Sequence, residues 1–248
     1  PISIYWYGLT YVGGLIFAWW LGRRRAQLAQ SPVSEEQIDD LIFYAALGIV
    51  AGGRIGYALF YGAGSLWDDP LRVFRLWEGG MAFHGGFLGV VIAMWLFSRH
   101  QKIEFGALVD FIAPLAPVGL ALGRIGNFIN QELWGRPADV PWAMVFPGDP
   151  LGLARHPSQL YQFAMEGILL FFVLFWYTRS PRPHWSAAGL FLLGYGLFRS
   201  FAEFFREPDA HIGFDALGWM TRGQLLSLPM IAIGAAIMIW AYRRDAKK

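Results

Sequence analysis

The stretch LIFYAALGIVAGGRIGYALFY, residues 41–61, carries one charged side chain, Arg54, in 21 residues. A helix of about 20 mostly apolar residues is long enough to cross the hydrocarbon core of a bilayer. No proline interrupts the stretch, so it predicts a membrane-spanning helix. Its arginine needs a separate explanation, because a charge inside a membrane is costly and usually has a function.

Working outward from residues 41–61, six further segments of the chain are comparably apolar. The seven predicted spans are 5–21, 41–61, 81–97, 105–129, 158–177, 186–205 and 224–242. The fourth contains Pro114 and Pro117, so we expect it to be kinked. The composition agrees, because 56% of the residues are hydrophobic and 15% are charged, whereas soluble domains have about 25% charged residues. We predict an all-α integral membrane protein, a bundle of seven transmembrane helices that forms one domain over residues 1–248.

The basic residues predict the orientation of this bundle. Eleven of the twenty Lys and Arg residues lie in the stretches 23–25, 98–102, 178–184 and 243–248, whereas the alternate loops hold six. Because basic residues concentrate on the cytoplasmic side, we expect an external amino terminus and a cytoplasmic carboxyl terminus. The external loops are then 62–80, 130–157 and 206–223. The first is typical of an interfacial arm, and the second is the candidate for a small cap.

Composition also excludes several kinds of site. The chain has no cysteine, so disulfides, thiolate metal sites and cysteine nucleophiles are all excluded. Five scattered histidines show no spacing typical of metal ligands. A net charge of +2 gives no support to nucleic-acid binding. We therefore predict no metal, no cofactor and no nucleic-acid partner.

The segment GRIGNFIN, residues 123–130, places Arg124 among small and amide residues, and GRIGYALF at 53–60 is a near copy with Arg54 in the same place. We attribute the copy to chance and a shared packing role. Glycines four residues apart predict close helix packing in lipid. They are Gly48, Gly52 and Gly56, then Gly85 and Gly89, then Gly119 and Gly123.

Polar side chains of five predicted spans fall at one depth, just below the outer surface. They are Tyr7, Arg54, His84, Arg124, Asn127, Arg199 and Glu203. A shared depth predicts one polar cavity that opens towards the outer leaflet. Guanidinium groups match phosphate oxygens with paired hydrogen bonds, so an anionic phospholipid is the natural ligand class.

Several of these residues also have a simpler interpretation. Arg54 could anchor its helix by reaching the headgroups, and Arg199 could form a structural i,i+4 ion pair with Glu203. Tyr7 could belong to the aromatic belt, and His84 could serve only in packing. Arg124 is harder to explain in this way, because small neighbours leave room for a ligand there.

The segment GRIGNFINQELWGR, residues 123–136, resembles the signature of the bacterial prolipoprotein diacylglyceryl transferases. Five further blocks resemble the same family in its order: YWYGL at 5–9, GGRIGYALFY at 52–61, GGMAFHGGFLG at 79–89, RHPSQLY at 155–161 and GYGLFRSFAEFFREPDA at 194–210. The resemblance covers essentially the whole chain. It implies a seven-helix bundle of the bacterial inner membrane with a periplasmic amino terminus and a small periplasmic cap.

The resemblance also implies a reaction and its partners. The family moves the sn-1,2-diacylglyceryl group of phosphatidylglycerol to the lipobox cysteine thiol of a prolipoprotein signal peptide. A thioether forms and glycerol 1-phosphate leaves. The family's essential residues fall on His84, Arg124 and Arg199 as catalytic groups, and on Tyr7, Asn127, Glu132, Gly135 and Glu203 as substrate-binding groups. Within the matching blocks we also expect Arg54, Arg136 and Tyr195 to contact the substrate.

The residues suggest how such a reaction would work. A thiol has a pKa near 8.5, so a base and a positive potential would both favour the thiolate. Arg124 and Arg199 suit the charge on the departing phosphate. His84 is the candidate base, although it could equally hold a partner helix. We expect Glu132 and Glu203 to orient the arginines. An anion or lipid transporter that uses the same arginines, and a non-enzymatic scaffold, are the competing functions.

Overall fold

The computed structural model of the chain describes residues 6–61, 70–75, 79–208 and 218–247. The helices in these ranges are α1 (Trp6–Ala26), α2 (Gln37–Tyr61), α3 (Phe83–His100), α4 (Phe105–Ile112), α5 (Ala116–Ile129), α6 (Ser158–Tyr177), α7 (Ser186–Ala202) and α8 (Arg222–Asp245). A short 3₁₀ helix lies at Pro70–Phe74. The prediction of a mostly helical membrane protein is confirmed.

Every predicted span contains a described helix, but not every helix is long and apolar enough to cross a membrane. In the part of the chain that the structure describes, α2, α6 and α8 meet both criteria. The predicted kink is confirmed, because α4 and α5 bend by 45° at their junction and together make a fourth candidate span. α7, at 17 residues, is shorter than a full span. The count of seven spans stays a prediction.

The chain forms two compact units, one of residues 22–108 and one of residues 1–21 with 109–248. We call them the smaller and the larger unit. The single domain over residues 1–248 stays a prediction. Most of the predicted interfacial arm, 62–69 and 76–78, lies outside the described residues, as does part of the third loop at 209–217.

Glycine contacts hold α2 against α3 in the smaller unit. A Cβ atom built on Gly56 would lie 2.7 Å from Gly85 Cα, and one on Gly52 would lie 2.7 Å from Gly89 Cα. Real Cβ atoms do not approach other atoms so closely, so only glycine allows this helix separation. The predicted packing role of the glycines in these two helices is confirmed.

The larger unit contains a second set of close helix contacts. A Cβ atom on Gly189 of α7 would lie 3.0 Å from the carbonyl oxygen of Gly234 on α8. On α5, a Cβ atom at Gly123 would meet no other described atom within 4 Å. The predicted packing role is therefore wrong for Gly123, because no atom of the described residues fills the space next to it.

The predicted cap, residues 130–157, folds as a small β-structured segment in the larger unit. Two short strands, β1 (Met144–Val145) and β2 (Ala154–Arg155), pair antiparallel. Isolated bridges join Gly135 to Arg206 and Pro137 to Arg155. The bridge from Gly135 to Arg206 attaches the segment after α5 to the chain that follows α7, whereas the bridge from Pro137 to Arg155 lies within the cap.

A buried ion pair stabilises the cap from inside. Arg155 donates from Nε to Asp149 Oδ2 at 2.7 Å and from Nη2 to Asp149 Oδ1 at 3.2 Å, and both side chains are buried. The backbone amides of Leu151 and Leu153 also donate to this carboxylate. Four donors satisfy the buried carboxylate of Asp149, so the turn between β1 and β2 is fixed.

Candidate functional site

Arg124, near the end of α5, points to a carboxylate on the neighbouring helix α6. Its Nη2 atom donates a hydrogen bond to Glu166 Oε2 at 3.0 Å. The side chain of Arg124 is 18% exposed, whereas that of Glu166 is fully buried. Arg124 therefore pairs with a buried carboxylate, while part of its own side chain is accessible. The rest of its guanidinium can meet a ligand.

Glu166 was missed by the sequence analysis, although a signal was present. It is the only charged residue between 158 and 177, a segment otherwise apolar enough to cross a membrane. A lone ionisable residue in such a segment marks a functional site. The structure adds that Glu166 lies in a π-helical part of α6, Phe163–Leu169. Such π-helical turns occur frequently at functional sites.

Arg199, on α7, contacts two carboxylates. Its Nη2 atom lies 2.6 Å from Glu203 Oε1, which confirms the predicted i,i+4 ion pair. Its Nη1 atom lies 3.6 Å from Glu166 Oε1, too far for a hydrogen bond. Neither Arg199 Nη1 nor Glu166 Oε1 has a hydrogen-bond partner among the described residues. Arg199 thus keeps a donor for which the described protein supplies no acceptor.

Three further side chains, those of Arg206, Thr221 and Tyr195, adjoin the same cluster. Glu203 also pairs with Arg206 Nη1 at 3.3 Å and accepts a hydrogen bond of 2.6 Å from Thr221 Oγ1. Tyr195, one turn before Arg199, lies beside the side chain of Arg124 and in the electrostatic field of Glu166. We call Arg124, Glu166, Arg199, Glu203 and Arg206 the charged row, because positive and negative groups alternate along it.

Asn127 and Glu132 lie near the end of α5 but outside the charged row. Asn127 is buried, and its Nδ2 atom donates to Glu132 Oε2 at 3.5 Å. Within the described ranges Glu132 has no ion pair with an arginine, and the expectation that it orients the arginines stays a prediction. Glu203 pairs with Arg199, and Arg124 pairs with Glu166, a residue that was not among those predicted from the sequence.

Gly135 and Arg136 serve the cap through their backbone. The amide of Gly135 donates to His156 O at 2.9 Å, and that of Arg136 donates to Phe205 O at 2.8 Å. A Cβ atom on Gly135 would meet Phe205 O at 2.5 Å, so the site accepts only glycine. The side chain of Arg136 donates from Nε to Arg206 O at 3.0 Å. Both residues therefore attach the cap beside Arg206, one end of the charged row.

Arg54 of the smaller unit is buried and binds backbone carbonyl groups. It donates to the oxygens of Val73 (3.1 Å), Arg75 (2.6 Å), Gly79 and Gly80 (3.1 Å). Neither interpretation made from the sequence included this role, in which the guanidinium binds the backbone of Val73, Arg75, Gly79 and Gly80 to α2. Its predicted contact with substrate stays a prediction.

The remaining two predicted residues begin helices. His84 is the second residue of α3, and its side chain is exposed. Tyr7 lies in the first turn of α1, but its side chain is outside the described part of the structure. The structure brings Arg124, Tyr195, Arg199 and Glu203 together in the larger unit. The cavity shared by five helices also needs Arg54 and His84 of the smaller unit, so it stays a prediction.

Comparisons with known proteins agree with the resemblance noted in the sequence. The sequence model of a family described as prolipoprotein diacylglyceryl transferase matches residues 1–240. A protein of Teredinibacter turnerae is 59% identical over 244 residues, which cover 98% of this chain and 85% of the relative. Relatives from Azotobacter vinelandii (55% over 247 residues, 100% and 93% covered) and Ectopseudomonas mendocina (52% over 245, 99% and 92% covered) are similar too. Each is named phosphatidylglycerol–prolipoprotein diacylglyceryl transferase.

Proposed function

Because the chain belongs to the prolipoprotein diacylglyceryl transferase family, we propose that it transfers the sn-1,2-diacylglyceryl group of phosphatidylglycerol to the lipobox cysteine thiol of a prolipoprotein. The chain is accordingly a transferase. Since the similar proteins are named as transferases, we do not retain the transporter alternative. The observation that carries the proposal is the pair of arginines, Arg124 and Arg199, on either side of Glu166.

The reaction is a substitution at the glyceryl carbon that bears the phosphate. A bond forms between the thiol sulfur and this carbon, the carbon–oxygen bond to the phosphate breaks, and glycerol 1-phosphate leaves with the electron pair. The thiol proton passes to a base. The phosphate gains negative charge as the bond breaks, so fixed guanidinium groups stabilise the transition state more than the bound substrate.

The arginines would hold the phosphate. Arg124 is partly exposed and Arg199 has an Nη1 atom without a hydrogen-bond partner in the described part of the chain. Both can donate to phosphate oxygens while they keep their glutamate partners. Tyr195 lies next to Arg124, so its hydroxyl adds another hydrogen-bonding group to the phosphate site. The adjoining end of α5 and the cap are lined or supported by four other predicted residues, Asn127, Glu132, Gly135 and Arg136.

His84 is the base in this proposal. Its side chain is exposed, so a thiol can reach it, and a neutral imidazole has a ring nitrogen that accepts a proton. A substitution that preserves shape but cannot accept the proton, His84→Gln, should lower kcat with little effect on the binding of phosphatidylglycerol. If His84→Gln transfers at the wild-type rate, His84 is not the base.

The proposal includes a topology. The helices are seven membrane spans of one domain in the bacterial inner membrane, with a periplasmic amino terminus and a cytoplasmic carboxyl terminus. The distribution of lysine and arginine supports this orientation. Residues 130–157 form a periplasmic cap in this proposal, so the phosphate site faces the outer leaflet. Reaction of single cysteines placed in the loops with a membrane-impermeant reagent tests it.

A reconstituted reaction tests the function itself. Purified protein in detergent is mixed with phosphatidylglycerol and a synthetic peptide that carries a lipobox cysteine. We expect the peptide to gain the mass of one diacylglyceryl group, with release of an equal amount of glycerol 1-phosphate. A matched peptide with serine in place of the cysteine should gain nothing. Absence of both products from the cysteine peptide would overturn the proposal.

A further inference from the structure

We propose that Glu166 is a positioning residue that sets the net charge of the phosphate site, so that the site binds a phosphate diester and releases the more highly charged phosphate monoester. This inference rests on the proposed function. Glu166 was not among the site residues predicted from the sequence. The role proposed for it here is in the release of the product.

The charged row carries one positive charge in excess. Its three arginines and two glutamates give a net formal charge of +1. A phosphate diester carries one negative charge, so the row and the substrate neutralise each other. A phosphate monoester carries about −1.5 to −2 at neutral pH. The complex of the row with the product would therefore carry a net negative charge. Because a doubly charged phosphate loses more hydration free energy at a buried site than a singly charged one does, this favours its departure.

Burial of Glu166 strengthens the effect of its charge on the bound phosphate. The side chain of Glu166 is fully buried, so water does not screen its charge as it would at the surface. A second negative charge on the bound phosphate is then repelled by Glu166 over a short distance. Without the glutamate charge, the site would have a net charge of +2 and would hold a doubly charged product.

The two contacts of Glu166 differ in a way that suits this role. The contact with Arg124 is a hydrogen bond of 3.0 Å, whereas that with Arg199 is a 3.6 Å approach of two atoms that lack hydrogen-bond partners in the described part of the chain. A buried polar group without a partner marks a place that a ligand or water fills. Arg199 Nη1 can thus donate to the phosphate while Oε2 of Glu166 stays on Arg124.

Helix packing holds Glu166 at this position. A Cβ atom on the next residue, Gly167, would lie 2.9 Å from Ala121 Cα. α6 therefore touches α5 beside Glu166, one turn of α5 before Arg124. The π-helical turn of Phe163–Leu169 spans the same point. This contact holds the backbone at Glu166 next to the part of α5 that carries Arg124.

Steady-state kinetics of Glu166→Gln test the proposal, because glutamine keeps the shape and removes the charge. We expect glycerol 1-phosphate to inhibit this variant at concentrations at least about tenfold lower than wild type, as one unscreened charge predicts. We also expect kcat to fall while KM for phosphatidylglycerol stays the same or falls. Glu166→Asp, which keeps the charge, should restore the wild-type inhibition constant to within about threefold.

Glu35→Gln is the matched control, because it removes one carboxylate at an exposed ion pair with Arg23 in the smaller unit. Its inhibition constant should equal that of wild type. If Glu166→Gln is inhibited no more strongly than wild type, the proposal is wrong. A purely structural role for Glu166 would lower stability in both Glu166 variants without tighter binding of the product.

If Glu166→Gln does not fold, a measurement on the wild-type protein tests the proposal instead. Glycerol 1-phosphate loses its second proton near pH 6, so its charge changes between about pH 5 and pH 8 while Glu166 faces Arg124, Arg199 and Tyr195. We expect its inhibition constant to rise across this range, which means weaker inhibition at pH 8 than at pH 5, because the doubly charged form is the one that Glu166 repels. Inhibition at pH 8 that is equal to or stronger than inhibition at pH 5 would overturn the proposal. A wild-type protein that transfers no diacylglyceryl group would instead refute the proposed function.

Discussion

Asp110 Oδ2 accepts a hydrogen bond of 2.5 Å from the backbone amide of Trp185, 75 positions later in the chain. Oδ1 of the same carboxylate accepts from Ala188 N at 2.8 Å. α7 begins at Ser186 after Trp185, which has a left-handed φ of 76° and provides no side-chain cap. Asp110 of α4 therefore supplies the N-terminal cap of α7 from another helix, and α7 carries Tyr195, Arg199 and Glu203 away from this fixed end.

Asp110→Ala should lower the stability of the protein. The substitution removes both acceptors from the first turn of α7 and the negative charge that favours a helix N-terminus. We expect a loss of about 1–2 kcal/mol in the free energy of unfolding, seen as a lower midpoint of thermal unfolding in detergent. Asp110→Asn keeps one acceptor and should fall between wild type and the alanine variant.

Asp139→Ala is the control for this prediction, since Asp139 is exposed in the cap. Its unfolding midpoint should match that of wild type. Equal midpoints for Asp110→Ala and wild type would show that the interhelical cap contributes nothing to stability.

Arg124→Lys should lose most of the transfer activity although it keeps the charge. Lysine can pair with Glu166, but it cannot offer the planar, paired donors that match a phosphate. Loss of one donor to a developing negative charge typically lowers kcat by about 100-fold or more. Release of glycerol 1-phosphate in the peptide assay measures this loss.

Arg182→Lys is the matched control, because Arg182 is exposed in the connection between α6 and α7. We expect wild-type activity from it and the same unfolding midpoint from both variants. Activity of Arg124→Lys within about threefold of wild type would contradict the assignment of Arg124 to the phosphate.

Arg54→Lys tests whether this arginine anchors the chain after α2. A single ammonium group cannot replace hydrogen bonds to four carbonyl oxygens between Val73 and Gly80. We expect faster cleavage by chymotrypsin at the exposed residues Leu71 and Phe74, with a smaller loss of activity than in Arg124→Lys. The exposed Arg24 provides the control substitution. An unchanged cleavage rate in Arg54→Lys would mean that these hydrogen bonds do not hold the segment.

The helices and the contact between α2 and α3 could be predicted from the sequence because their signals are local. Apolar length locates a helix, and glycines at four-residue spacing mark a face that approaches another backbone. The ion pair of Arg199 and Glu203 was predictable for the same reason, since residues four apart share a helix face.

The partners of Arg124 and Asp110 could not be predicted in this way. Glu166 is 42 residues from Arg124, and a π-helical turn changes which face of α6 it occupies. Trp185 is 75 residues from Asp110, and its role depends on a backbone amide rather than on a side chain. Such contacts depend on how helices pack, which residue spacing within one helix does not specify.

The stability of the cap should depend on pH through Asp149. The hydrogen bonds from Arg155, and those from the amides of Leu151 and Leu153, hold the pKa of the Asp149 carboxyl below its usual range. A carboxyl whose pKa is lowered by folding stabilises the folded state above its unfolded pKa, about 3.9. This stabilisation is lost as the pH falls through the lower, folded value.

We therefore expect hydrogen-exchange protection of residues 138–154, corrected for intrinsic exchange, to be constant from neutral pH to about pH 5 and to fall below about pH 4. Asp149→Asn should be less protected already at neutral pH, because an amide gives Arg155 a weaker partner, and its protection should vary less with pH. The exposed Asp139→Asn should behave as wild type. If Asp149→Asn matches wild type in protection and in pH profile, the ion pair of Asp149 and Arg155 does not stabilise the cap.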